Sequence, residues 1–299
     1  MKYVLSVDVG GTFVKTALVN ENLEIFEKKS FPTAQNNPDG TAVANQIKSI
    51  YQEYKKENSD KSISSLGFAT PGASDESIGL IHWAGNFGWK NIPIKQLVAD
   101  RVDIPVAFGH DVRVAMLAEC KFGNAAEVKD AIFIPIGTGI AAAIQIQNKI
   151  IFNQGFVGEI GHLKVGHSRK CVCGQIGCLE AIASSAAISQ NYFELTQINR
   201  ETPEIIELAK SEDLNAKKVF QQAILGLANA CEALITILAP EKIILGGGLS
   251  KAGNNLIDPI VATLKNNLTF QKMPEIVVAK FGSDAGIIGN AIQALELIK

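Results

Sequence analysis

The sequence of 299 residues has few charged and few aromatic side chains. Charged residues make up 19% of the chain and aromatic residues 7%. Hydrophobic residues reach 47%, which excludes an intrinsically disordered chain. The 28 basic and 30 acidic residues nearly cancel, so no positive field favours nucleic acid or an acidic membrane as a partner. No apolar run approaches the ~20 residues of a membrane span, and the first residues lack the apolar stretch of a signal peptide. We therefore expect a cytoplasmic protein.

Cysteine is also scarce, and its distribution points to a metal site. The five cysteines are an odd number in a chain without an expected signal peptide, which argues against a disulfide framework. Cys171, Cys173 and Cys178 lie close together, and His162 precedes them. Three thiolates and one imidazole suit a tetrahedral zinc ion that orders a loop, whereas reactive or chance thiols are the alternative. The two isolated cysteines are expected to be buried thiols.

A strand, a glycine turn and a returning strand occur twice. The first set is predicted over Tyr3–Val9 and Val14–Val19, and the second over Ala131–Ile136 and Ile140–Ile146. The offset of 127 residues between the two turns predicts two lobes of similar design, while two unrelated hairpins in one domain are the alternative. Strands alternate with helices, which indicates α/β lobes with mixed sheets. The helices are predicted at Thr41–Lys56, Val112–Phe122, Leu214–Leu238, Asn255–Leu268 and Asp284–Ile298.

Three glycine turns follow predicted strands, and each can bind phosphate. They are Gly10-Gly11-Thr12, Gly137-Thr138-Gly139 and Gly246-Gly247-Gly248. Glycine lets backbone N–H groups approach phosphate oxygens, and a carboxylate such as Asp8 can hold a magnesium ion through water. One turn alone is more often a plain hairpin, but three in one chain favour phosphate binding. The sequence has no G-x-x-x-x-G-K-[ST] motif, which excludes a P-loop enzyme.

Several polar side chains are candidates for a second substrate. Asp111 lies where a predicted strand meets a helix, so it is a candidate general base or a helix N-cap. Glu159 and Glu180 flank the Cys/His cluster, and Asn86 lies in a loop between two tryptophans. Those tryptophans are expected to pack in the core or at its rim.

These motifs together resemble the ROK family of bacterial sugar kinases and related repressors. That resemblance implies a two-lobed actin-like ATPase (ribonuclease H-like) fold, with lobes 1–113 plus 284–299 and 114–283. It covers nearly the whole chain, and its most specific part is the Glu-x-Gly-His and C-x-C-G-x-x-G-C-x-E combination. The motifs that carry it are Asp8–Thr12, Thr70-Pro71-Gly72, Asn86–Trp89, His110-Asp111, Gly137–Gly139, Glu159–His162, Cys171–Glu180, Gly246–Gly248 and Asp284-Ala285-Gly286.

The resemblance also implies roles for individual residues. Asp111 would be the general base, and His162 would bind both zinc and sugar. The residues implied for ATP and its magnesium ion are Asp8, Gly10, Gly11, Thr12, Thr138, Gly139, Gly247 and Gly248. Those implied for the sugar are Asn86, His110, Glu159, His162 and Glu180. Those implied for structural zinc are His162, Cys171, Cys173 and Cys178.

The expected function is that of an ATP-dependent hexose kinase, acting on glucose or a related hexose at the 6-hydroxyl. Family kinases for glucose-type sugars usually carry Asn where this chain has His110, which bears on the identity of the sugar and not on the reaction. The alternative is a sugar-binding transcriptional regulator without catalysis. The first predicted strand begins at Tyr3, which leaves no room for an N-terminal helix-turn-helix domain. Family members often dimerise, so a homodimer is expected.

Overall fold

The computed structural model describes residues 2–34 and 38–299, in which strands and helices alternate. The strands are β1 (Tyr3–Val9), β2 (Phe13–Asn20), β3 (Ile25–Pro32), β4 (Ile63–Thr70), β5 (Ala73–Asp75), β6 (Leu80–Ala84), β7 (Trp89–Ile92), β8 (Val106–His110), β9 (Ala131–Pro135), β10 (Ala143–Ile146), β11 (Lys149–Ile151), β12 (Lys242–Gly246) and β13 (Glu275–Val278). The helices are α1 (Thr41–Glu57), α2 (Ile94–Ala99), α3 (Asp111–Phe122), α4 (Glu180–Ala183), α5 (Ser185–Thr196), α6 (Thr202–Lys210), α7 (Leu214–Leu238), α8 (Asn254–Asn267) and α9 (Ala285–Glu296).

The chain divides into two compact units. Unit 1 comprises Met1–Lys121, Phe152–Val157 and Ser283–Lys299, and unit 2 comprises Phe122–Ile151 and Gly158–Gly282. The chain therefore first passes from unit 1 to unit 2 at the end of α3. The sequence predicted this boundary near residue 113. The reason for the difference is the contact of α3 with α9, where a Cβ atom on Gly289 would lie 1.9 Å from the carbonyl oxygen of Val114.

The segment Phe152–Val157 belongs to unit 1, an excursion that the sequence did not indicate. Gly155 has a φ of 87°, and a Cβ atom there would lie 2.1 Å from the carbonyl oxygen of Ser74. The ring of Phe156 stacks on His82 with centroids 5.5 Å apart. A close backbone approach, which glycine permits, and one ring contact thus hold the segment against β5 and β6.

A five-stranded mixed sheet forms the centre of each unit, and both sheets have the same strand order. The order is β3-β2-β1-β4-β8 in unit 1 and β11-β10-β9-β12-β13 in unit 2. In each, the first three strands are antiparallel and the last two run parallel to the central strand. This repeated topology confirms the prediction of two lobes of one design. A smaller antiparallel sheet, β5-β6-β7, completes unit 1.

Apolar helix faces cover both sheets. Helix α1 buries Val43, Ile47, Ile50 and Tyr54 at the spacing expected of an amphipathic helix. Helix α7 is the only helix among the described residues that is long and apolar enough to cross a membrane, and half of its most apolar window is buried. It packs against α4, α5, α6 and α8, as expected of the core helix of its unit.

Helix α9 packs tightly against the sheet of unit 1 at Gly67. A Cβ atom there would lie 2.0 Å from the carbonyl oxygen of Asn290 and 3.2 Å from Cβ of Ala294. Because neither atom can move without the helix, we expect Gly67→Ala to lower the free energy of unfolding by about 1–3 kcal/mol. Urea denaturation measures the change. The matched control is Gly137→Ala, where a Cβ atom meets nothing within 4 Å, and equal losses in both variants would contradict the prediction.

Candidate active site

The first glycine turn joins β1 to β2 in unit 1. Gly10 N–H donates to the carbonyl oxygen of Phe13 at 2.9 Å, and Thr33 Oγ1 donates to the carbonyl oxygen of Gly10 at 2.7 Å. A Cβ atom on Gly11 would lie 3.6 Å from Nδ2 of Asn86. The turn is thus fixed in shape, and the exposed Asn86 side chain lies beside it.

Asp8 lies near the end of β1, and its carboxylate is closely surrounded. Burial, and then the charge of Asp111, raise the pKa of Asp8 to about 6. A Cβ atom on Gly286, in the first turn of α9, would lie 2.7 Å from Oδ2 of Asp8. Glycine at position 286 therefore leaves room for the carboxylate. A carboxylate in this position beside a glycine turn has the chemistry to hold a magnesium ion through water.

Asp111 is the first residue of α3 and directly follows β8. Because β8 and β1 run in the same direction in one sheet, both strands end at the same edge. Oδ1 of Asp111 accepts a hydrogen bond of 2.7 Å from N–H of Val112, the adjacent residue. A capping side chain accepts instead from the N–H two or three residues further on, so the N-cap reading is not supported. Burial raises the pKa of Asp111, while the Val112 N–H and the charge of Arg113 oppose that rise.

The His110 side chain is only 8% exposed and lies against Asp111. Its Nδ1 is 3.3 Å from N–H of Val112, which donates to it, and 3.3 Å from Oδ1 of Asp111. Burial, and then the charge of Arg113, lower the pKa of His110 to about 3. Near neutral pH the ring is therefore an uncharged donor and acceptor, not a cation.

Three residues near Asp111 were missed by the sequence analysis. Glu76 Oε1 accepts from the backbone N–H of His110 at 2.6 Å and from Nε of Arg113 at 3.0 Å. Arg113 Nη2 donates to the carbonyl oxygen of Ser74 at 3.1 Å. The one signal in the sequence was an arginine among the apolar residues of Val112–Met116, since a charge on a buried helix face needs a partner.

The second and third glycine turns lie together in unit 2, at the ends of β9 and β12. Gly137 N–H donates to the carbonyl oxygen of Gly139 at 3.0 Å, which closes the second turn. Gly247 has a φ of 76°, and a Cβ atom on it would lie 2.4 Å from the carbonyl oxygen of Ile136. Thr138, Gly139, Gly247 and Gly248 are exposed. The two turns therefore lie side by side, and these four residues are accessible.

The cysteine and histidine side chains converge in unit 2. Sγ of Cys171 is 3.8 Å from Nδ1 of His162, and Sγ of Cys173 is 3.8 Å from Sγ of Cys178. All four ligand atoms lie within 4.8 Å of one another. A tetrahedron with arms of about 2.3 Å has edges of about 3.8 Å, so this donor set fits zinc. With Nδ1 turned to the thiols, Nε2 of His162 is the ring nitrogen left for a second partner.

Glu180 links the segment of His162 to the second glycine turn. Its Oε2 accepts a hydrogen bond of 2.9 Å from N–H of Ile140. A Cβ atom on Gly139 would lie 2.7 Å from this oxygen, and one on Gly161 would lie 3.2 Å from it. The family resemblance implies a role of Glu180 at the sugar alone, and the structure adds this contact with the second turn. Glu159, which is exposed, lies at the start of the same segment, where its carbonyl oxygen accepts from N–H of His162 at 3.1 Å.

The remaining cysteines and tryptophans differ in burial. Cys231 is buried as expected, whereas Cys120 is only partly buried, because it lies near the end of α3. Burial raises the pKa of both thiols to about 12, so neither is a reactive thiolate. Trp89 is buried and stacks on Phe87 at 4.3 Å, whereas Trp83 is 62% exposed and its ring covers Gly85.

Comparisons with known proteins support the fold of this chain. The family model of the ROK family matches residues 4–296. A glucokinase of Halalkalibacterium halodurans is 32% identical over 97% of this chain and 94% of its own. An N-acetylmannosamine kinase of Haemophilus influenzae is 29% identical over 98% of this chain and 96% of its own. A ROK family glucokinase of Streptomyces griseus, solved with glucose and AMPPNP, superposes with a TM-score of 0.84 at 25% identity, over 98% of this chain and 99% of that one. The likeness confirms the expected fold class.

Proposed function

This chain belongs to the ROK family, and from that premise we propose that it transfers the γ-phosphoryl group of ATP to the 6-hydroxyl of glucose or a related hexose. The enzyme class, an ATP-dependent sugar kinase, is supported by the glucokinase relative and by the glucokinase structure with glucose and AMPPNP. The observation that carries the reaction is the position of Asp111. Asp111 is the first residue of α3 and lies at the edge of the unit 1 sheet where β1 also ends, with Asp8 and the first glycine turn.

The proposed step is an in-line displacement on the γ-phosphorus. The Asp111 carboxylate takes the proton of the sugar hydroxyl, whose oxygen forms a bond to the γ-phosphorus. The bond between that phosphorus and the β–γ bridging oxygen breaks, and ADP leaves with the electron pair. A magnesium ion, which Asp8 would hold through water, supplies neutralisation of the phosphate charge when bound. Burial of Asp111 suits a base, since a carboxylate with a raised pKa is a stronger proton acceptor.

The other residues bind and orient the two substrates. In the first turn, Gly11 and Thr12 would donate N–H and hydroxyl groups to phosphate oxygens, and Gly10, whose N–H is bonded to Phe13, would shape the turn. The exposed Thr138 and Gly139 would donate in the same way, and Gly247 with Gly248 would line the adenosine. The side chains proposed for sugar hydroxyls are Asn86, His110, Glu159, His162 and Glu180. A zinc ion held by Cys171, Cys173, Cys178 and Nδ1 of His162 would fix the His162 ring. The homodimer and the cytoplasmic location stay predictions.

Release of ADP tests the proposal directly. The protein is incubated with ATP, magnesium and a panel of hexoses that includes glucose, mannose and N-acetylmannosamine. We expect ADP release with glucose or a related hexose, and none with 6-deoxyglucose, which lacks the acceptor hydroxyl but should still bind. ADP release from no sugar, together with sugar binding in a thermal-shift assay, would favour the regulator without catalysis.

His110 is the residue that we expect to set the preference among hexoses. An uncharged imidazole and an amide differ by about one hydrogen bond to a sugar hydroxyl, which corresponds to roughly a tenfold change in kcat/KM. In His110→Asn we therefore expect the ratio of kcat/KM between glucose and another hexose of the panel to change by about that factor. Thermal shifts with the same sugars provide an independent reading, and an unchanged ratio would show that His110 does not select the sugar.

A further inference from the structure

Arg113 and Glu76 form a largely buried ion pair directly beside the proposed base. Arg113 is only 4% exposed and the Glu76 side chain 20%. Nε of Arg113 lies 3.0 Å from Oε1 of Glu76, and Nη2 donates to the backbone carbonyl oxygen of Ser74 at 3.1 Å. The Arg113 guanidinium thus joins the first turn of α3 to β5 and to the loop that follows it.

The same oxygen of Glu76 holds the backbone that precedes Asp111. It accepts the hydrogen bond of 2.6 Å from N–H of His110, the last residue of β8. This is a charge-assisted hydrogen bond to a backbone N–H, the kind that is short and strong. Glu76 therefore fixes the chain on one side of Asp111, and Arg113 fixes it on the other.

A buried ion pair is seldom the most stable choice for a protein core, because an apolar pair of the same volume avoids the desolvation of two charges. We therefore expect the pair to contribute by orienting neighbouring groups and not by stabilising the core. A misplacement of about 1 Å can cost a factor of about 100 in rate at a site that needs a near-attack geometry. Glu76 holds the backbone of His110, which precedes Asp111, and Arg113, two positions after Asp111, bonds to Ser74 of β5.

We infer that Glu76 and Arg113 are positioning residues for phosphoryl transfer, which hold the Asp111 carboxylate in line with the sugar hydroxyl through the backbone of His110 and the first turn of α3. This inference rests on the proposed kinase activity. Neither side chain touches substrate in this role, so their removal acts on kcat and leaves sugar affinity nearly unchanged.

The test compares four variants with the intact protein. In Glu76→Ala and Arg113→Met we expect kcat to fall roughly 10- to 30-fold, which is less than the factor of about 100 for a misplacement of about 1 Å. We expect KM for sugar and for ATP to stay within about threefold of the values of the intact protein. In Glu76→Gln the amide oxygen can still accept from N–H of His110, so we expect a smaller loss. Arg113→Lys should restore part of the activity, because its ammonium group can pair with Glu76 but cannot also reach Ser74.

Tyr54→Phe is the matched control. It removes a buried hydrogen bond of 2.9 Å to Thr16 in the same unit, away from the proposed site. We expect a lower melting temperature with unchanged kcat, which separates lost stability from lost positioning. Should Glu76→Ala not fold, Glu76→Gln and Arg113→Lys still decide. Folded variants whose kcat stays within twofold of that of the intact protein would overturn the inference. So would variants whose KM rises by as large a factor as their kcat falls. An intact protein that releases no ADP would instead overturn the proposed function.

Discussion

Replacement of Asp111 by asparagine is expected to lower kcat about 1,000-fold, within the range that general acid–base catalysis supplies. The introduced amide would keep the shape of the carboxylate and an oxygen that accepts from N–H of Val112, so the start of α3 should not change. What disappears is the group that takes the proton of the sugar hydroxyl. Because that proton moves only in the transition state, the loss should fall on kcat.

Two measurements check this expectation for Asp111→Asn. Coupled detection of ADP at saturating sugar and ATP gives kcat, and titration calorimetry with the sugar gives its affinity, which we expect to change by less than about threefold. Asp103→Asn is the control, since Asp103 accepts from Tyr51 and Lys55 at the surface of the same unit. The base assignment would be wrong if Asp111→Asn kept kcat within tenfold of the intact protein.

The elements that could be predicted from the sequence are those whose evidence is local. The period of apolar residues in α7 gave its bounds, Leu214–Leu238, as the structure has them. The two glycine turns at Gly10 and Gly137 indicated the duplication because each interrupts a β-branched run in the same way. The cysteine cluster and His162 could be grouped because a zinc site draws its ligands from nearby chain positions.

The elements that escaped prediction depend on contacts between distant chain positions. The short strands β5, β6 and β7 are held by pairing with one another, and their apolar residues are too few to show a period. Helices α4, α5 and α6 also escaped prediction. Helix α4 has four residues, too few for a helical period, and α5 buries only Ile188, Asn191 and Tyr192, so its apolar stripe is short. The strand predicted from Ile140 begins only at Ala143, since the N–H of Ile140 is bonded to Glu180, 40 positions away.

The site itself shows the same division. Asp8, Asp111 and the glycine turns stand next to strands in the sequence, so the α/β rule placed them at strand ends. Glu76 could not be found this way, because its bond to Arg113 spans 37 positions and no periodic pattern marks it. Likewise, Phe152–Val157 belongs to unit 1 because of contacts with distant positions, the close backbone approach of Gly155 to Ser74 and the stacking of Phe156 on His82.

Loss of the zinc ligands is the second change with a large expected effect. In Cys173→Ser we expect the zinc content to fall from about one ion per chain toward none, because a closed site with three ligands binds far more weakly. The His162 ring would then lose the contact that fixes Nδ1, and KM for the sugar should rise about 100-fold, the upper range seen when the surroundings of a metal site are altered. Elemental analysis of the purified protein measures the zinc, and steady-state kinetics measures KM.

The zinc prediction also separates sugar binding from nucleotide binding. Glu180 begins α4, two residues after Cys178, and holds N–H of Ile140 beside the second turn, so some loss of ATP affinity should accompany the loss of zinc. We expect KM for ATP to rise less than KM for the sugar, because the second turn would lose only the contact between Glu180 and N–H of Ile140. Cys231→Ala is the control, because this buried thiol of α7 lies outside the cluster and its loss should leave both zinc and KM unchanged. A zinc-free Cys173→Ser protein with a normal sugar KM would show that the cluster does not shape the sugar site.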